Sequence, residues 1–316
     1  MSQTQFSEKI SDNIFNNIRS NSNVSEEYQY LNLIENILEN GTWEHGRNGK
    51  TKSIFGQTMR FSLANGKIPI LTTKKTAWKT CLKELLWFIR GETNNKLLVD
   101  QGVHIWDGNS SREFLNSRNL SSNPEGILGP IYGRQWRNFN APYNCATGEL
   151  LDDELKGVDQ LQQIIDQLKD PIQRFSRRLI MTAWNPCQLD EMALPPCHIL
   201  CQFNVHDGDK LSCSMYQRSS DEFLGQPINI ASYSFLTHLL AKHCDLQAYE
   251  FVYFIGNCHI YENAIDSCKL QLTRKPYPFP TLNIKEVREN INDYQLDDFV
   301  VIGYQHQEAI KVAMVA

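Results

Sequence analysis

Two consecutive prolines followed at once by a thiol, an imidazole and an alternating apolar run constrain this chain more than any other stretch does. In MALPPCHILCQF (192–203), Pro195 and Pro196 lock φ, remove two backbone donors and force an extended approach. Cys197 and His198 come next, and the alternation over 199–205 reads as a strand running into the core. A thiol at the mouth of a strand, behind a rigid pair of prolines, is held more firmly than a loop cysteine. Such a thiol has two readings. Cys197 is a small buried hydrophobe, the usual fate of free cysteine, or a nucleophile, if the rest of the chain gives reason for a thiolate.

Composition narrows the setting. The 316 residues suit one large domain or two modest ones, and 41% hydrophobic with 21% charged residues describes a globular chain. A net charge of −5 provides no basic field to recruit nucleic acid or anionic membrane. The nine cysteines include no CxxC and no metal-ligand spacing, which predicts a reducing, cytoplasmic setting without a metal. No apolar run reaches membrane-spanning length and no secretory signal opens the chain.

In chain order, residues 1–26 are polar and predict a flexible leader, and 27–316 the functional domain. Helical spacing over 27–40 stops at Gly41. A cationic loop, 46–52, precedes a strand at 53–61; with Arg47 it could cradle an anion, or it is a solvated hairpin connection. The apolar helix expected over 78–90 carries Glu84, which is either buried with a raised pKa useful for proton transfer or set on the helix's solvent edge. Residues 103–107 alternate like a short strand, and 108–126 read as a polar surface excursion. GPIYGRQW (129–136) is too rich in Gly, Pro and aromatics for simple core and predicts a loop entering a helix near a ligand. An amphipathic helix is expected at 158–168, strands at 179–184, 211–218, 250–260 and 281–285, and a long apolar helix at 230–240. Arg177 and Arg178 offer forked donors suited to a phosphate monoester, or are simply solvated.

The motifs GPIYGRQW, SRR, AWNP, MALPPCH, YQRSSDEFLGQPINIASY and HIY, in this order, resemble the folate-dependent, cysteine-using thymidylate synthase family from about Tyr28 onward. The resemblance implies an α+β fold: a single domain with a large mixed β-sheet flanked by helices, the sheets of two subunits packed back to back in a homodimer. It also implies a role for each motif residue. Cys197 would add to C6 of dUMP, with Glu84 managing protons at O4 and Tyr132 near the C5 proton. Arg218 would bind phosphate and lower the thiol pKa. Ser219 would add a hydroxyl to the phosphate, alongside Arg47 and, from the other subunit, Arg177 and Arg178. His198, Gln217 and Asp221 belong to the implied nucleotide site. Asn229 would present its amide to the uracil edge, and His259 with Tyr261 would hold the 3′-hydroxyl. The cosubstrate, 5,10-methylenetetrahydrofolate, would meet Trp106, Asn109, Asp221, Leu224, Gly225, Ile228 and Ala316; neither metal nor nicotinamide is implied.

The chain departs from the family pattern in places. The anion loop is a residue shorter, so Arg47 matches only with a gap; Ile228 stands where an aromatic usually packs, and Gln226 replaces an apolar residue. The segment 303–311 lacks both prolines of the usual Pro-His-Pro. A dUMP or dCMP hydroxymethylase of the same family, in which water quenches the exocyclic methylene, is the nearest alternative. Asn229 rather than aspartate disfavours a cytosine substrate, and Trp106 disfavours water attack. A catalytically silent binding or regulatory protein is the alternative from another class; the acidic balance and intact Cys197 weigh against it.

Overall fold

The computed structural model describes residues 25–46, 48–147 and 157–314. Arg47 and Ala316 lie outside them, as does the expected leader apart from Ser25 and Glu26. Helix α1 (Tyr28–Asn40) buries Tyr30, Leu31, Leu33, Ile34 and Ile37, the i, i+3, i+4 stripe expected from the sequence. Burying each such side chain contributes about 1.5–3 kcal/mol. Gly41 ends the helix where a Cβ would sit 2.5 Å from the Ile37 carbonyl oxygen. Just before α1, the fully buried Glu27 carboxylate accepts from the backbone N–H and the hydroxyl of both Thr72 and Thr73. That set of donors ties the helix start to the 71–76 loop.

Six strands form the main sheet: β1 (Thr42–Gly46), β2 (Gly49–Ser62), β3 (Ile180–Thr182), β4 (His198–His206), β5 (Lys210–Asp221) and β6 (Gln247–Tyr261). Their order is β1-β2-β6-β5-β4-β3, and every pair is antiparallel except β5–β6. The remaining longer helices are α2 (Trp78–Ile89), α3 (Tyr132–Asn138), α4 (Gln160–Lys169), α5 (Gly225–His243) and α6 (Ile265–Leu272). Strands β7 (Thr281–Ile284) and β8 (Phe299–Ile302) pair as a separate ribbon. Parallel neighbours need a long crossover. The 19-residue α5 supplies it between β5 and β6 and runs almost wholly buried. The described residues form a single mixed α/β domain.

Two features bring side chains together at one end of the sheet and leave a face open. Gly133 lets α3 lie directly on α2, since a Cβ there would meet the Phe88 carbonyl oxygen at 2.3 Å. On the sheet face turned away from α5, Leu200, Tyr216 and Phe254 stand in register across β4, β5 and β6, and each is more than a third exposed.

The structure departs from the expected elements locally. Residues 103–106 are not a strand, and 107–117 contain the short helices Asp107–Ser110 and Arg112–Ser117, the latter burying Leu115. One apolar anchor among polar neighbours leaves no periodicity to read. The cationic loop is shorter than expected because residues 49–52 already pair with β1. Helix α5 begins at Gly225 rather than after 229, because Asp221 Oδ1 accepts from Phe223 and Leu224 N–H and lets the turn feed straight into the helix.

Candidate active site

The double proline stops just short of β4, and Cys197 is the residue between them. Its N–H donates to the Tyr132 hydroxyl at 2.7 Å, and its carbonyl accepts from Arg218 N–H at 2.8 Å. The Arg218 side chain reaches back along the same segment: Nε donates to Pro196 O at 2.8 Å and Nη2 to Pro195 O at 2.9 Å, with Nη2 3.8 Å from Cys197 Sγ. The carbonyls of the two prolines therefore accept from the guanidinium and orient a cation at the thiol. Nη1 has no protein partner among the described residues and remains for an anion. The sequence expectation that Arg218 lowers the thiol pKa holds in direction only. Burial raises Cys197 above the usual thiol value, and Arg218 and Tyr132 offset part of that rise.

Tyr132 opens α3 at φ 24°, a conformation rare outside glycine. Its ring stacks on His198, centroids 4.1 Å apart, and meets Trp106 edge-on at 6.1 Å. His198 Nδ1 lies 2.7 Å from the Tyr233 hydroxyl, and burial pushes this imidazole down to about 3, so it stays neutral near pH 7. Glu84, on α2, is partly buried. It accepts from the Trp106 indole N–H at 2.7 Å, and burial lifts it to about 7 against that hydrogen bond. A carboxyl titrating there can both give and take a proton.

The β5–β6 pair carries the next group. Asn229 Nδ2 donates to Gln217 Oε1 at 2.9 Å, and Gln217 Nε2 donates to Ser219 O at 2.9 Å. Asp221 pairs across the sheet with His259, whose Nδ1 lies 2.9 Å from Asn257 Oδ1, and the His259 and Tyr261 rings meet edge-on at 5.3 Å. Ser219, Asp221, Asn229, His259 and Tyr261 are all partly exposed. Asp221 is also the turn-maker before α5, so part of its carboxylate is committed to structure. Asn109, Leu224, Gly225 and Ile228 are half-buried, with Leu224 and Ile228 packed on the core.

Arg177 and Arg178 differ from the rest. Both are exposed just before the edge strand β3, and neither guanidinium has a protein partner among the described residues. Sequence reasoning missed three groups. Tyr233 orients His198, and Tyr253 donates to Gln217 Oε1 at 2.6 Å. The buried Lys74 ammonium donates to Phe223 O and sits 3.4 Å over the Phe223 ring, with burial lowering its pKa to about 7. Tyr233 lies on a helix apolar on all sides and Tyr253 in an apolar strand, so neither breaks a pattern. Lys74 and Lys75 are adjacent, and nothing local says which one is buried.

The C-terminal segment closes against the 71–76 loop. The Tyr304 hydroxyl donates to Leu71 O at 2.8 Å and accepts from Thr76 N–H at 2.9 Å, while Gln307 N–H donates to Thr72 O at 2.8 Å. Glu27 pins that loop from behind.

No group of His, Cys, Asp and Glu side chains suited to a metal ion occurs among the described residues, and no helix there is long and apolar enough to cross a membrane. The family model described as "Thymidylate synthase" matches residues 28–316. The chain is 50% identical over 291 residues to a bifunctional dihydrofolate reductase-thymidylate synthase of Leishmania major, covering 92% of this chain and 55% of that protein. It is likewise 50% identical over 305 residues to the bifunctional enzyme of Plasmodium berghei (96% and 50%), and 50% identical over 302 residues to a probable thymidylate synthase of Schizosaccharomyces pombe (92% and 47%). The chain thus spans about half the length of these curated relatives. A match of this extent, in a chain that sets Cys197 beside Arg218, makes it a member of the thymidylate synthase family.

Proposed function

We propose that this protein converts dUMP to dTMP by reductive methylation with 5,10-methylenetetrahydrofolate, giving dihydrofolate. The observation that carries the reading is the Cys197–Arg218 unit: a positioned thiol beside a cation whose Nη1 has no protein partner among the described residues, with Nη2 and Sγ 3.8 Å apart. Nucleotide phosphate placed on Arg218 Nη1, Ser219 and Arg47 would bring the base over the thiol. Sγ then adds to C6 as its proton leaves, and the electron pair moves through C5 to O4. Glu84, titrating about 7, would supply and withdraw protons on the O4 side, and Tyr132, whose hydroxyl accepts from Cys197 N–H, would serve the C5 proton. Asn229 reads the base edge, and His259 with Tyr261 receives the 3′-hydroxyl.

The residues fit a folate. Trp106 is a flat aromatic anchored by its indole N–H to Glu84, and the half-buried Leu224 and Ile228 keep an open apolar side. Asn109 and Gly225 would complete the folate contacts, and Asp221 Oδ2 has no protein partner among the described residues. The folate supplies the one-carbon unit and the hydride that reduces it. Trp106 favours that outcome over hydroxymethylation by excluding water, and Asn229 favours uracil.

We also read the working unit as a homodimer. The in-register apolar row Leu200, Tyr216, Phe254 supports sheet-to-sheet packing, and the unpaired Arg177 and Arg178 suit a phosphate in the partner's site. Product analysis with dUMP and methylenetetrahydrofolate tests the reading. dTMP with dihydrofolate supports it, whereas hydroxymethyl-dUMP with tetrahydrofolate, or no product, overturns it.

A further inference from the structure

Gln217 is 2% exposed, yet it makes three hydrogen bonds whose directions are forced by chemistry. Its Nε2 faces Ser219 O at 2.9 Å, and a backbone carbonyl can only accept, so the amide nitrogen must lie on that side. Its Oε1 is then turned the other way, where it accepts from two donors: Asn229 Nδ2 at 2.9 Å and the Tyr253 hydroxyl at 2.6 Å. The shorter of the two comes from Tyr253, a fully buried ring on β6. Burial, with Glu222 nearby, keeps the tyrosine protonated and able to donate.

This arrangement determines which way the Asn229 amide points. With one Nδ2 hydrogen committed to Gln217, Asn229 keeps Oδ1 as an acceptor and its second Nδ2 hydrogen as a donor. Uracil offers the complement, an N3–H donor and an O4 acceptor. Cytosine offers the reverse, an N3 acceptor and an amino donor. The same asparagine turned over would read cytosine. A carboxamide is nearly symmetric in shape, so packing cannot tell the two orientations apart; only hydrogen-bond direction can.

Resting on the synthase reading, we propose that Tyr253 is a positioning residue for base selectivity: its hydroxyl holds Gln217 Oε1 toward Asn229 and so keeps the Asn229 amide in the uracil-reading orientation. Without that hydroxyl the buried oxygen keeps only one donor, and the Gln217–Asn229 pair turns over more readily.

The test measures kcat/KM for dUMP and dCMP with the intact protein and its Tyr253→Phe variant. The expected result is a fall of about fivefold in the dUMP-over-dCMP ratio, the worth of one neutral hydrogen bond. A fall of threefold or more supports the proposal and a smaller one overturns it. Tyr294→Phe, which removes a hydroxyl from an equally buried ring that accepts from Arg288 N–H, controls for lost stability and should leave the ratio unchanged. Gln217→Met keeps the bulk and removes the acceptor, so it should lose the same selectivity even if Tyr253→Phe fails to fold. Combining the two should add nothing, whereas additive losses would mean they act separately and overturn the proposal. Unsubstituted protein that turns over neither nucleotide, or prefers dCMP, refutes the synthase reading itself. Normal wild-type selectivity with an unchanged variant ratio refutes the Tyr253 role alone.

Discussion

Arg218 Nη2 lies 3.8 Å from Cys197 Sγ while the same guanidinium holds both proline carbonyls just upstream. One side chain therefore holds the backbone before Cys197 and bears on the thiol's electrostatics. In the free protein that cation only offsets part of the burial penalty on the thiol.

Cys197→Ser is expected to abolish turnover while dUMP affinity stays within about tenfold, because a hydroxyl is a far weaker nucleophile at neutral pH. Steady-state kinetics and nucleotide titration check this, and a variant keeping a tenth of the wild-type rate would refute the assignment. Cys201→Ser, at a site 1% exposed, is expected to lower stability by about 1–3 kcal/mol and leave the chemistry intact.

Mixing an Arg178→Ala subunit with a Cys197→Ser subunit should restore activity, since one site of the heterodimer then joins an intact cysteine to intact arginines. Absence of recovery after confirmed subunit exchange would mean that the exposed arginines serve their own chain or no site at all.

Glu84 makes a pH prediction of definite sign. Its pKa rises from 4.5 to about 7 on folding. Between those values the unfolded chain has lost the proton and the folded one keeps it, so stability falls as pH rises through this window and levels off above about 7. Glu84→Gln keeps an oxygen for the Trp106 indole and removes the titration. Its unfolding free energy should lack this decline, with a gain above pH 7 of at most about 3 kcal/mol, while turnover drops by about 10²–10⁴-fold. Denaturant melts from pH 4.5 to 8.5 would show parallel curves for the two proteins if the assignment is wrong.

The C-terminal segment is held by Gln307 N–H on Thr72 O and by the Tyr304 hydroxyl, and neither contact uses the N–H of residue 306 or 308. Prolines there would preserve both contacts while restricting the open ensemble, a gain of about 0.4–1 kcal/mol each. Ile228→Phe adds ring contact of about 0.5–1.5 kcal/mol. The triple variant His306→Pro, Glu308→Pro, Ile228→Phe should bind folate several-fold to about a hundredfold more tightly with dUMP affinity little changed. Equal folate affinity in titration calorimetry would show that the departures are compensated elsewhere.

The sequence by itself determined the local elements and the family resemblance. Periodicity located α1, α2 and α4, the double proline located the start of β4, and ordered motifs identified the residue types that a cysteine-based methylation needs. Those signals are local, because helix and strand periods and proline's fixed φ act within a few residues. What the tertiary structure decided is everything that depends on distance across the fold. Burial raises Glu84 to about 7 against the hydrogen bond from Trp106, a partner 22 residues away that no reading of the helix alone reveals. Lys74 rather than Lys75 is buried because Phe223, 149 residues away, offers it a carbonyl and a ring. Gln217, Asn229 and Tyr253 meet because α5 returns the chain to make β6 parallel to β5. Hydrogen-bond direction and desolvation arise only when such segments touch, so the sequence could name candidate groups but not their protonation and orientation.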